Sequence, residues 1–286
     1  MDNPDYRYWV AEVSGANAYR ITGNVGDSLY QSITVYTGRG VADASAVARI
    51  DSEDLRVDSA GDFEVTLAPD PTGAESWVHL PPDATSVWVR YVLPATTVDD
   101  DGSCVIARVG TEPGHGSDPA RFDRDLGRLG QVIARLPEMF TLAVTPDLAQ
   151  PNSVRHWSAM AGGAAFTEPG SHYVRGNWLL GADDALLVDG VVPPCRHWNI
   201  VLYNRFLNSL DYRRRTVSRS AATSSCVDGH VRFVIADRDP QLDGYDWLDT
   251  EGREFGLFVM RFLQPVSEPA LPAVRRVALA DLSTAP

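Results

Sequence analysis

The feature that most limits what this chain can fold into is that it repeats itself. Reading from Gly23 and from Gly190, the same landmarks return at nearly the same intervals. Each glycine is followed by an apolar segment ending in tyrosine, Ile33-Thr34-Val35-Tyr36 in one copy and Ile200-Val201-Leu202-Tyr203 in the other. Turn glycines come next, Gly61 and Gly229, each opening an alternating segment at 63–67 and 231–235. Trp77 and Trp247 follow, with Leu80 and Leu248 close behind. Then come segments closing on arginine, Trp88-Val89-Arg90 and Val259-Met260-Arg261, and a proline after each, Pro94 and Pro265. Self-similarity of this kind means one supersecondary unit used twice, here over about residues 17–94 and about 184–265.

Apolar and polar residues alternate within the units, and Gly, Pro and Asp punctuate them, which predicts antiparallel strands rather than helices. A unit this short can hold several strands but barely an independent core. The two should therefore pack on each other or on the segment between them. The expected fold is mainly β: two related antiparallel β-sandwich or jelly-roll-like units with a helical insertion. Residues 1–109 would form the first β unit, 110–170 the connecting segment and 171–286 the second unit. In the connector, Ser117 and Asp118 offer an N-cap and Pro119 suits the first turn. Phe122, Leu126, Leu129, Ile133 and Leu136 then fall at helical spacing, an amphipathic stripe expected to pack against the core. Residues 142–170 have no clear pattern, and 275–279 read as a late strand.

A net charge of −13 argues against nucleic acid or an anionic membrane as partner. Every basic residue is arginine. Without lysine there is no Schiff-base amine and no P-loop lysine, so pyridoxal-phosphate and P-loop chemistries fall away. Cys104, Cys195 and Cys226 are odd in number and lack metal-type spacing, which fits reduced thiols and a cytoplasmic setting. The first residues lack the basic and apolar regions of a signal peptide, and no apolar run is long enough for a membrane span. The chain has no G-x-S-x-G, H-E-x-x-H or C-x-x-C motif and no dinucleotide fingerprint; no cofactor is expected. His115, His156 and His172 lie in or near the connector, without the tight spacing of a metal site.

Function is sought where the copies differ. The second gains Arg196, His197, Asn199 and Asn204 around the strand that ends in Tyr203, then Asp211, Tyr212 and Arg213, and later Arg238, Trp247 and Asp249. Hydrogen-bonding groups beside aromatic rings suit a small-molecule pocket. His197, Asp211 or Asp249 offer a general acid or base, and Arg213 or Arg238 an anion anchor. Plainer roles stand beside these: a strand-edge histidine, amides bonded to loop backbone, turn chemistry before Pro240, and an arginine triplet, 213–215, that discourages edge pairing. Arg90 and Arg261 occur in both copies, which suggests a structural role for them.

Residues 194–204, Ser209 to Arg213, Asp228-Gly229, residues 236–240 and Asp246–Thr250 together resemble the domain-of-unknown-function 1214 family, most clearly over 170–280. The first copy matches only in outline, having lost the Trp198-Asn199 pair. The resemblance implies a β-sandwich, often of bacterial origin, and no settled activity. The residues themselves suggest a non-redox enzyme (hydrolysis, elimination or isomerisation) with its pocket in the second β unit. The alternative is a non-catalytic β-sandwich that binds a carbohydrate or another small, possibly anionic ligand.

Overall fold

The computed structural model describes residues 1–38, 43–110, 118–157 and 167–282. Among these the protein is mainly β, with four sheets and two helices. The first half contributes β1 (Tyr6–Glu12), β2 (Tyr19–Asn24), β3 (Tyr30–Thr37), β4 (Ser45–Asp51), β5 (Asp62–Ala68), β6 (Trp77–His79), β7 (Ala84–Val92) and β8 (Ser103–Arg108). Helix α1 (Pro119–Ala149) follows, then the short β9 (Val154–His156). The second half holds β10 (Ser171–Leu179), β11 (Asp184–Val191), β12 (His197–Tyr203), β13 (Ser218–Ser220), β14 (His230–Ala236), β15 (Asp246–Asp249), β16 (Phe255–Leu263) and β17 (Ala273–Ala278), and ends in the single turn of α2 (Leu279–Leu282).

Strand order repeats between the halves. One sheet of the first half runs β1-β7-β3-β4, and its counterpart runs β10-β16-β12-β13, with β9 added beside β10. The other runs β6-β5-β2-β8, matched by β15-β14-β11-β17. Eight strands thus recur in the same pairing. The sheets are not wholly antiparallel as expected: β5 pairs β6 in parallel, and β14 pairs β15 in parallel. In both places the chain leaves one strand, loops out and re-enters beside it in the same direction.

Each half is a sandwich with its own core. In the first, Ile21, Ile33, Val35, Val65, Leu67, Val87 and Val89 are buried together. In the second, Trp178, Leu186, Val188, Ile200, Leu202, Phe233, Phe258 and Met260 do the same. Burying aliphatic side chains of this size stabilises the fold by about 1.5–3 kcal/mol each. The period-2 geometry of strands decides what faces the other way. Val87, Val89 and Tyr91 point into the core, so Trp88 and Arg90 point away from it. Phe258, Met260 and Phe262 point in, so Val259 and Arg261 point away. Those outward faces of β7 and β16 meet one another in the middle of the molecule.

Helix α1 departs from expectation. Asp118 caps it, its carboxylate accepting from the Ala120 N–H at 3.0 Å, and Pro119 occupies the first turn. The helix continues through Pro137 and Pro146 to Ala149. Its apolar stripe does not pack against the core, however. Phe122, Leu126, Leu129 and Ile133 are 59%, 54%, 52% and 55% exposed. Only the last turns dock: Val144 is buried against Val201, Tyr203, Leu257 and Val259. The buried Asp147 holds Arg175 and Arg155 by side-chain ion pairs. Helical spacing reveals an apolar face but not what covers it. No helix among the described residues is long and apolar enough to cross a membrane.

Candidate ligand cavity between the two units

The site is best built from the segments that lead into β1 and β10. Each makes the same turn: the Tyr6 N–H donates to Asn3 O, and the Ser171 N–H donates to Glu168 O. Each then crosses to the other unit. The segment before β10 lies on the first unit, where the Tyr36 hydroxyl donates to Thr167 O at 3.0 Å and the Ser32 hydroxyl to Glu168 Oε2 at 2.7 Å. The segment before β1 lies on the second unit, where the Tyr203 hydroxyl donates to Asp2 O and the Asn199 amide to Asn3 Oδ1 and Asp5 Oδ2. The arms are exchanged reciprocally.

Between them lies a cavity of about 460 Å³, walled by both units. Tyr6, Tyr8, Trp88 and Arg90 come from the first, and Tyr173, Val259 and Arg261 from the second; Met1, Asp2, Trp157, Thr167 and Glu168 complete the lining. Tyr8 stands in register with Arg90, and Tyr173 with Arg261. Glu168 is fully buried and accepts from Arg90 Nη1 at 3.0 Å and Arg49 Nε at 3.1 Å. Arg261 donates from Nη2 to the Tyr203 hydroxyl at 2.7 Å, while its Nη1 is buried without a partner among the described residues. Burial raises the Tyr6 and Tyr8 phenols above their ordinary range and pushes Tyr203 up to about 12 against the opposing pull of Arg261. These hydroxyls therefore stay protonated near neutrality and can donate. The Met1 amine is held below its usual value by burial and by Arg261.

The residues singled out from the sequence are spread over several places. His197 is buried in β12 with Asp5 Oδ2 4.0 Å from its Nε2, and neither ring nitrogen has a hydrogen-bond partner among the described residues. Burial lowers its pKa, and Asp5 opposes that in part. Asn199 and Tyr203 hold the arm before β1, as described. Arg196 lies over the Tyr30 ring and bonds Gln264 and Glu53, tying the units together. Asn204 closes a turn, accepting from the Phe206 and Asn208 N–H groups. Asp211 sits in a turn beside Arg214. Asp249 ends β15 and pairs with Arg215. Trp247 packs against the outer sheet and donates to Ala236 O. Arg238 pairs with Asp183 on the surface. The structure thus does not bring His197, Asp211 and Asp249 together. Tyr212 and Arg213 line an adjoining cleft of about 790 Å³ that shares Asp2, Tyr6 and Tyr8 with the central cavity. His115 lies outside the described residues. His156 approaches only Glu268, at 3.8 Å, and no group of metal-ligating side chains forms among the described residues.

The cavity also uses residues that sequence reasoning passed over: Tyr6, Tyr8, Trp88, Trp157, Glu168, Tyr173, and the matched pair Arg90 and Arg261. The signal for the arginines was available. In each copy one charged residue interrupts a buried apolar strand, which is costly unless something offsets the charge.

The family described as "Protein of unknown function (DUF1214)" matches residues 10–96 and 174–267, more than half of the chain and both units. The chain belongs to this family. The first unit is matched as well as the second, which extends the resemblance beyond 170–280. No curated protein matches the sequence. Among solved structures, an uncharacterised protein of Burkholderia cenocepacia is 27% identical, with a TM-score of 0.87, covering 98% of this chain and 78% of that one. A Vibrio parahaemolyticus protein has the same overall fold at 14% identity and a TM-score of 0.60, covering 96% of this chain and 90% of its own.

Proposed function

We propose that this protein binds a ring-bearing small molecule in the cavity between its two units. The observation that carries the reading is the chemistry of the wall. Tyr6, Tyr8, Trp88, Trp157 and Tyr173 offer aromatic surface, and the hydroxyls of Tyr6, Tyr8 and Tyr173 make no hydrogen bond within the described residues. Aromatic faces beside a few convergent donors are how compact pockets hold sugars and aromatic rings, and the volume suits a small ligand. The binding reading is preferred to the non-redox enzyme reading because His197, Asp211 and Asp249 do not converge on one point. A small molecule rather than nucleic acid as partner, and a cytoplasmic setting, belong to the same reading, on the strength of the net charge of −13 and the unpaired cysteines.

The test is a thermal-shift screen of cyclic compounds against the full chain and against Trp88→Ala. A ligand of the cavity raises the unfolding midpoint of the natural protein and leaves that of the variant nearly unmoved. Hits that stabilise both proteins equally, or a screen with no hits, count against the reading.

A further inference from the structure

Around the cavity the two units repeat the same arginine–tyrosine contacts. Arg90 donates to the Tyr36 hydroxyl, which donates to Thr167 O; Arg261 donates to the Tyr203 hydroxyl, which donates to Asp2 O. Ser32 and Asn199 stand in register with these two arginines and hold the crossing arm of the other unit. The turn that places Glu168 against Arg90 is the turn that places Asn3 in the second unit. There the symmetry fails: the carboxylate that neutralises Arg90 has an amide as its counterpart. Arg261, only 7% exposed, is left as a cation with no ion-pair partner among the described residues.

The neighbouring carboxylates do not compensate it. Both Asp2 oxygens are taken by Ser209, one by its N–H and one by its hydroxyl. The Asp5 oxygens accept from Thr96 Oγ1 at 2.8 Å and Asn199 Nδ2 at 2.7 Å. What surrounds Arg261 on the cavity side is phenolic: it feels Tyr8 and Tyr173 directly, and it bears on Tyr6. A buried guanidinium without a counter-ion is expensive to keep, and donors with nothing to donate to add to that cost.

We infer that Arg261 anchors the carboxylate of an organic monoanion, with the Tyr8 and Tyr173 hydroxyls donating to the same group and the ring of the ligand lying toward Trp88. The inference rests on the cavity being a ligand site and adds the charge and orientation of what it holds. A carboxylate is favoured over phosphate on two grounds. The planar fork of arginine matches a planar two-oxygen anion. The cavity also holds one uncompensated guanidinium, which balances one negative charge and leaves the second charge of a dianion without a partner.

The experiment compares benzoate, phenylacetate and 3-phenylpropionate with their neutral amides and with inorganic phosphate. Binding to the full chain is followed by calorimetry and by fluorescence from Trp88 and Trp157. At least one acid should bind about 10- to 100-fold tighter than its amide, the worth of one buried charge-assisted hydrogen-bond group, and tighter than phosphate. Arg261→Gln should remove the advantage of the acid. Asn3→Glu, which installs in the second unit the carboxylate that the first already has, should remove it too; urea unfolding of both variants establishes that they are folded. Equal affinity for acid and amide overturns the inference while leaving the cavity as a ligand site. An unchanged preference in folded Asn3→Glu and Arg261→Gln also overturns it. Amides and acids that all fail to bind refute both readings together.

Discussion

Replacing Glu168 by alanine tests the reciprocal packing of the two units at its most loaded point. The carboxylate is fully buried and receives Ser32 Oγ at 2.7 Å, Arg90 Nη1 at 3.0 Å, Arg49 Nε at 3.1 Å and the Tyr30 hydroxyl at 3.4 Å. Arg49 is partly exposed and keeps Asp51 at 2.8 Å, so its loss is small. Arg90 is 2% exposed, has the Tyr36 hydroxyl and the Trp88 ring beside it, and cannot shed its proton. Breaking one side of a buried pair costs about 3–5 kcal/mol, and the Ser32 hydroxyl stranded beside it adds about 1 kcal/mol. The expected total is thus about 4–6 kcal/mol, comparable with the whole stability of many domains. Urea unfolding followed by tryptophan fluorescence should show the midpoint fall steeply, with the slope unchanged. Combining Glu168→Leu with Arg90→Met should return much of the loss, since an apolar pair of similar volume avoids desolvating two charges. A loss under about 1 kcal/mol for Glu168→Ala, or no recovery in the double variant, would refute the reasoning.

Two further outcomes are expected. His197 has its pKa lowered by burial, so the unfolded chain takes up a proton first as pH falls below about 6.5. Its contribution to stability is then present above that pH and declines below it, at no more than about 1.4 kcal/mol per pH unit. Comparing urea midpoints of the natural protein and His197→Leu from pH 8 to 5.5 should show the gap between them shift in favour of the variant; parallel profiles would dismiss the assignment. Gly256 faces Trp178 across the β10–β16 ladder, and a Cβ there would lie 2.1 Å from Trp178 Cζ2. Gly256→Ala should therefore cost about 1–3 kcal/mol by overpacking, and a variant as stable as the parent by thermal unfolding would contradict the register.

What could be read from the sequence followed from periodicity. Alternation, turn glycines and the recurrence of Tyr36 with Tyr203 and Arg90 with Arg261 revealed the repeated β unit, because those patterns are local. The N-cap at Asp118 and the strand near 275 were visible for the same reason. The site was harder. A search for residues present in only one copy led to His197, Asn199 and Arg196, which mostly hold the units together. The cavity is built instead from matched positions, and its distinguishing feature is the contrast between Glu168 and Asn3. Those two precede β10 and β1 and bear on strands far away in sequence, so no local pattern connects them to Arg90 and Arg261. The helix misled for a related reason: the stripe at Leu126, Leu129 and Ile133 has core-like spacing but no core beside it.

The crossed arms make each unit dependent on a short peptide that the other must lend. Nothing in that exchange requires lender and borrower to share a chain. During refolding at high concentration, the arm before β1 of one molecule should be able to settle on β12 of a neighbour, producing interlocked dimers that dilution dissolves only by unfolding. By the same logic, the halves separated within the exposed length of α1 should each be poorly soluble, yet should rescue one another when mixed.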